Sequence, residues 1–205
     1  MSAVLSDDRD ARARGGPVRH AFTVAEYYRM AEAGVLPPGR RTELIDGDVI
    51  EMSPIGPLHA AVVRLIQGRL QEQLGRGAIL SVQLPIRLGE AGEPQPDIAV
   101  LRARSDGYAR EHPTPADVLL VIEVSDTTLS FDRTVKAPLY ARAGIVEYWL
   151  VDLVNRLVEV HRSPSADGYR EVVRAVAGGT LSPGAFPDVR IAVDEVFGPV
   201  AAQER

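Results

Sequence analysis

The stretch that decides the fold is VLLVIEVSDTT, residues 118–128. Its first seven residues are apolar except for Glu123, so the pattern predicts a buried strand over 118–124. An ionised carboxylate in such a strand is costly unless it is paired, hydrogen-bonded or bound to a cation. Because no Lys or Arg stands within four positions of Glu123, its partner must come from elsewhere in the chain.

A second carboxylate stands at the start of another predicted strand. Asp97 follows Pro96 and precedes the apolar run IAVL, which predicts a strand over 96–101. If the two strands are neighbours, Asp97 and Glu123 suggest a shared cation. Each residue also has an ordinary explanation, since Asp after Pro is often a turn or cap residue and Glu at a strand end can face solvent.

The remaining patterns predict an α+β fold, a mixed sheet of six or more strands with helices before and inside the series. Thr23 and Glu26 have capping-box spacing and predict a helix over 23–33, while Asp46-Gly47 predicts a hairpin turn. Apolar residues four apart predict a long helix over 58–74 that ends at Gly75 or Gly77. Further strands are predicted over about 78–88, 146–152, 157–162 and 169–176, and a second helix over about 134–143.

Composition limits the class of protein. The chain has 205 residues, no Cys and a net charge of -5, which excludes disulfides, thiolate zinc sites and a Cys nucleophile. The charge argues against a generic basic nucleic-acid coat, although a local basic groove would still suit a nucleic-acid enzyme. No apolar run reaches the roughly 18 residues of a membrane span. We expect a cytoplasmic protein with a disordered leader over 1–20, one domain over 21–198 and a tail over 199–205.

Several motifs together resemble a known family. The Pro-Asp at 96–97 followed by a strand-borne Glu is similar to the PD-(D/E)XK nuclease superfamily. More narrowly, ELIDGD at 43–48, PDIAVL at 96–101, IEVSDTT at 122–128 and FDRTVKAPLYARAGIVEYWLVD at 131–152 resemble the Uma-two family of restriction-endonuclease-like proteins. The resemblance extends from about 23 to about 195. It implies a restriction-endonuclease-like mixed β-sheet flanked by helices, and hydrolysis of phosphodiester bonds, with DNA as the expected substrate.

The resemblance also implies a site. Asp97 and Glu123 would bind Mg²⁺ or Mn²⁺, the main-chain carbonyl of Val124 would complete the protein ligands, and Glu43 would support the metal or its waters. Hard oxygen ligands suit these ions. A homodimer is a further expectation, because endonucleases that cut both strands are often two-fold symmetric.

The catalytic lysine is the main departure from the superfamily pattern. Ser125 stands two residues after Glu123, where the superfamily has Lys, and Lys136 is the candidate replacement. Pro138 is tolerated only in the first turn of a helix, so either the helix begins at about 136 or the local geometry differs.

Two other functions stay open: a nuclease-like module that binds nucleic acid or a protein partner without cleavage, and a structural protein whose carboxylates are ordinary polar sites.

Overall fold

The computed structural model describes residues 18–198. Most of the predicted disordered leader and the whole predicted tail lie outside the described residues. Within residues 18–198, no helix is long and apolar enough to cross a membrane.

The N-terminal part is a helix, a hairpin and a long helix. Helix α1, Val24–Glu32, begins at Thr23, whose side chain and that of Glu26 form the predicted capping box. Strands β1, Thr42–Ile45, and β2, Asp48–Glu51, pair antiparallel. Helix α2, Pro57–Leu74, ends at Gly75. The predicted bounds of both helices are confirmed to within one residue.

The hairpin turn depends on Asp46 and Gly47. Both have positive φ, 49° and 78°, as expected of the Asp-Gly turns whose twist matches that of the flanking strands. A Cβ on Gly47 would lie 2.6 Å from the Cβ of Ala21, so this position requires Gly for space as well as for conformation. The N–H of Phe22 donates to the carbonyl of Gly47 and holds the chain before α1 against the hairpin.

The main sheet has six strands: β3, Ala78–Val82; β4, Ile98–Arg102; β5, Val118–Ser125; β6, Glu147–Asp152; β7, Leu157–Ser165; and β8, Gly168–Ala175. They lie in the spatial order β3-β4-β5-β6-β7-β8. Strands β5 and β6 run parallel, and the other neighbours are antiparallel. Together with the flanking helices they confirm the predicted α+β fold with a mixed sheet.

Strand β3 is shorter than predicted, since it ends at Val82 and not near 88. The reason is the backbone of Gln83, which has a φ of 54° and leaves the extended conformation. Its N–H donates to the carbonyls of Pro96 and Asp97. The chain therefore turns away from β3 beside the start of β4.

Apolar side chains pack on both faces of the sheet. On one face the core includes Trp149 and the inner side of α2, and on the other it includes Tyr140 and Tyr148.

Three short elements follow β8. The strands β9 (Thr180–Leu181) and β10 (Ile191–Ala192) pair with each other, and the last helix is α4 (Val193–Phe197). Helix α4 packs on the same face as α2. These last elements were not predicted.

The helical segment after β5 begins earlier than predicted. An α-helical turn, Leu129–Phe131, leads through a π-helical turn, Asp132–Lys136, into α3, Ala137–Arg142. The N–H of Ala137 donates to the carbonyl of Asp132, five residues back. A wider turn just before Pro138 accommodates a residue that lacks an N–H and would interrupt a regular helix. The predicted start at 134 is therefore wrong, and Lys136 lies inside a helical segment.

Candidate active site

Strand pairing brings Asp97 and Glu123 together. Ile98 on β4 pairs with Ile122 on β5 in antiparallel register. Asp97, which precedes Ile98, is therefore adjacent to Glu123, which follows Ile122. The N–H of Asp97 lies 3.3 Å from Oε2 of Glu123 and donates to it. Both side chains are buried. The sheet thus holds two carboxylates at neighbouring strand ends.

The carboxylate of Asp97 is held by three donors. His59 Nε2 lies 2.9 Å and Gln83 Nε2 3.1 Å from Oδ1, and the N–H of Val124 donates to Oδ2 over 2.9 Å. Burial would raise the pKa of Asp97, but the hydrogen bond and charge of His59 outweigh it and lower the pKa. Burial lowers the pKa of His59, yet Asp97 reverses this and raises it. The two side chains therefore favour each other's charged form.

Glu123 is held by two side chains of the helical segment. Lys136 Nζ lies 3.0 Å and the Tyr140 hydroxyl 2.8 Å from Oε1 of Glu123. Burial is the largest cause that raises the pKa of Glu123 to about 8, against the lowering effect of Lys136. Burial would lower the pKa of Lys136, but Glu123 and Glu43 outweigh it and raise the pKa. Lys136 is thus a buried ammonium.

Glu43 reaches the same ammonium from the hairpin. Lys136 Nζ lies 3.0 Å from Glu43 Oε2 and 3.4 Å from Oε1. The closer oxygen still has no hydrogen bond of acceptable angle, so the 3.0 Å contact is an ion pair rather than a directed hydrogen bond. Lys136 therefore bridges a carboxylate of β1 and a carboxylate of β5.

Ser125, in place of the superfamily Lys, has a structural partner. Ser125 Oγ and Thr128 Oγ1 each donate to Oδ2 of Asp132 over 2.6 Å. Asp132 is buried in the π-helical turn. The three side chains tie the end of β5 to the segment that carries Lys136.

An acidic pocket of about 270 Å³ opens over these residues. Its lining carries Lys136 and Arg41 as cations beside His59. The carboxylates in the lining are Glu43, Asp97, Glu123, Asp126 and Asp132. Negative charge therefore exceeds positive charge in the pocket, whether or not His59 is protonated.

These residues fit a divalent cation in their chemistry. Carboxylate oxygens are the ligands that Mg²⁺ and Mn²⁺ prefer, and buried carboxylates in excess of their cations are stabilised by added positive charge. In residues 18–198, no group of three or more His, Asp or Glu side chains is arranged to hold a metal. The predicted ligands are only two such side chains, Asp97 and Glu123, and the main-chain carbonyl of Val124. The absence of a three-residue group therefore does not test this ligand set.

The structure brings together all four side chains that the sequence analysis selected, Glu43, Asp97, Glu123 and Lys136, and places Val124 in the lining of the same pocket. Their catalytic and metal-binding roles stay predictions. Sequence reasoning missed Gln83 as a donor to Asp97. No local pattern indicates it, because its position depends on the left-handed backbone after β3.

Two other arginines near this end of the chain have partners away from the pocket. Arg40 pairs with Glu51, and Arg69 pairs with Glu72 and Glu195. Within the described residues, Arg41 is the one arginine of the pocket lining.

Comparisons with known proteins agree with this fold. The model of the Uma2 family, described as "Putative restriction endonuclease", matches residues 24–194. A search of curated proteins found no match. Among solved structures, the crystal structure of a "putative nuclease belonging to DUF820" from Anabaena variabilis aligns with a TM-score of 0.68 and 18% identity. The alignment covers 86% of this chain and 97% of that chain, and at this identity the likeness shows the fold.

Proposed function

Because the chain belongs to the Uma2 family of restriction-endonuclease-like proteins, we propose that it is a metal-dependent nuclease that hydrolyses phosphodiester bonds of DNA. The observation that carries the proposal is the pair of buried carboxylates, Asp97 and Glu123, at adjacent strand ends beneath an acidic pocket. A buried lysine in contact with Glu123 adds the basic group that such a site needs.

The residues that would hold Mg²⁺ or Mn²⁺ are Asp97, Glu123 and the carbonyl of Val124, with Glu43 in support. When bound, the ion would polarise the phosphodiester and favour hydroxide over water as the nucleophile. His59 and Gln83 keep the Asp97 carboxylate in one orientation through its Oδ1. A carboxylate held in this way loses little freedom when a cation binds.

Lys136 is the group that would act on the reacting atoms. Its ammonium is a donor to Glu123 and pairs with Glu43, and it lines the pocket. In that place it can orient an attacking water or neutralise charge on the phosphate. Tyr140 shares Oε1 of Glu123 with Lys136, so it helps to fix the carboxylate that places the ammonium.

A cleavage assay tests the proposal. The protein is incubated with plasmid DNA, single-stranded DNA and RNA in Mg²⁺, Mn²⁺ or EDTA, beside Asp97→Asn and Lys136→Met. We expect metal-dependent cleavage of DNA by the wild type and its loss in both variants. Half-exposed Arg142 provides the control, since Arg142→Met removes a cation of α3, the helix that follows Lys136, and this cation contacts Asp46 instead of the site.

The outcomes separate the functions left open by the sequence. Identical traces for wild type and Asp97→Asn on every substrate would remove the support for an enzyme. Binding of nucleic acid without cleavage, retained in both variants, would identify a non-cleaving module. Cleavage of RNA alone would contradict the DNA assignment. A homodimer also stays a prediction, which sedimentation of the purified protein would check.

A further inference from the structure

Arg41 lies on the pocket wall directly before β1. The N–H of Met52 donates to the carbonyl of Arg41 over 2.9 Å, which extends the pairing of β1 and β2 by one residue. Side chains two residues apart on a strand project from the same face. Arg41 therefore shares a face with Glu43, and the two are separated by about 7 Å along the strand.

Arg41 has no direct ion-pair partner in the part of the chain that the structure describes. Its side chain forms no ion pair and no hydrogen bond with any residue of 18–198. Lys136 is buried and paired with Glu43 and Glu123, and His59 is paired with Asp97. Arg41 is therefore the cation of the described lining that has no ion-pair partner and can meet an incoming anion.

A phosphate that enters this pocket faces five carboxylates. Like charges at close range are unfavourable, so the substrate needs a cation at the wall as well as at the base of the pocket. A guanidinium presents its donors as a planar fork that matches two phosphate oxygens, and it stays charged at any working pH. A half-buried Arg on the face that carries Glu43 meets this need.

We propose that Arg41 binds a backbone phosphate of the nucleic-acid strand in the active site. The inference rests on the proposed nuclease function and deepens it, because it assigns the residue that holds the substrate strand. Arg41 is a substrate-binding residue, and its contact is with the phosphate and not with the bases. It should therefore contribute equally to strands of any sequence.

The neighbouring residue Arg40 offers a matched control. It has the same charge and stands one position earlier, so its side chain projects from the opposite face. It is exposed and pairs with Glu51 on β2. Arg41→Gln and Arg40→Gln change the net charge of the protein equally, and only the first removes a cation from the pocket.

The test measures binding of a short fluorescein-labelled oligonucleotide by anisotropy, in EDTA and in Ca²⁺, over a series of salt concentrations. For Arg41→Gln we expect binding about tenfold to a hundredfold weaker, as for loss of a charged hydrogen bond, and a salt slope lower by about 1. Arg40→Gln should stay within about twofold of the wild type, as for an exposed ion pair. Arg41→Lys should recover part of the affinity, because it restores the charge without the fork.

Equal loss in Arg41→Gln and Arg40→Gln would overturn the inference, because it would show a general charge effect. An unchanged affinity and salt slope in Arg41→Gln, beside a wild type that binds and cleaves, would overturn it while leaving the proposed function intact. A wild type that neither binds nor cleaves any oligonucleotide would overturn the proposed function and the inference with it. Unfolding midpoints of the variants show that each is folded.

Discussion

Replacement of Lys136 by Met tests whether the site is a balanced charge cluster. Lys136 is 1% exposed, and its ammonium lies 3.0 Å from oxygens of both Glu43 and Glu123. Met has a similar unbranched stem and no charge, so Lys136→Met removes the ammonium and leaves most of the packing. The loss of stability in this variant therefore measures the effect of the missing charge and not that of a cavity.

The expected cost is large because two buried carboxylates lose their shared cation. Breaking a buried ion pair from one side destabilises a protein by about 3–5 kcal/mol. The loss should be smaller at low pH, because Glu123 is then protonated and does not need the ammonium as a partner. The pKa of Glu123 is raised to about 8 even beside Lys136, and without the lysine burial would raise it further.

Urea unfolding in EDTA, at about pH 6 and about pH 9, measures these values. The control is Arg142→Met, which removes a half-exposed cation that contacts Asp46 on the hairpin. Its cost should be about 0–1 kcal/mol at both pH values. The reasoning is refuted if Lys136→Met costs no more than Arg142→Met, or if its cost is greater at the lower pH.

Three further changes test other parts of the structure. The pKa of Glu123 is raised in the folded state, so its contribution to stability is present at low pH and is lost as pH rises through about 8. In EDTA, the unfolding free energy of the wild type should therefore fall relative to Glu123→Gln between about pH 5 and about pH 9, and parallel curves would contradict this. Ser125→Ala removes one of the two hydroxyl donors to Asp132 and should cost about 1 kcal/mol in urea unfolding. It should also slow cleavage with little change in KM, because it loosens the segment that carries Lys136. Gly47→Ala places a methyl group 2.6 Å from the Cβ of Ala21 at a φ of 78° and should cost more than about 1 kcal/mol, so a smaller loss in thermal or urea unfolding would show that the turn relaxes.

Much of the fold follows from local sequence patterns. The capping box at Thr23, the Asp46-Gly47 turn and the four-residue spacing along α2 are interactions between near neighbours, so the sequence predicts them closely. The strands β4 and β5 are equally visible as apolar runs. What these patterns do not determine is which strands pair. From the residues alone, a shared site of Asp97 and Glu123 was expected only if their strands were neighbours, and the family resemblance added the expectation that they meet.

The parts that were not predicted have either distant contacts or no recognisable local pattern. Strand β3 is cut short where Gln83 donates its N–H to the carbonyls of Pro96 and Asp97. The two-residue strands β9 and β10 are too short to produce a periodic pattern. The helical segment begins early because a π-helical turn allows the helix to continue through Pro138. Such turns have no simple sequence signal. The early end of β3 is a tertiary effect that overrides local preference.

The place of the lysine follows from how the site is assembled. Residue 125 lies on the same strand face as Glu123, but its hydroxyl is used to hold Asp132, which anchors the helical segment. That segment then returns over the strand end and delivers the ammonium of Lys136 to Glu123 from the side, where Glu43 of the hairpin can also reach it. A lysine at position 125 would remove the hydroxyl that donates to Asp132. In this chain the contacts of Lys136 therefore join the sheet, the hairpin and the π-helical turn.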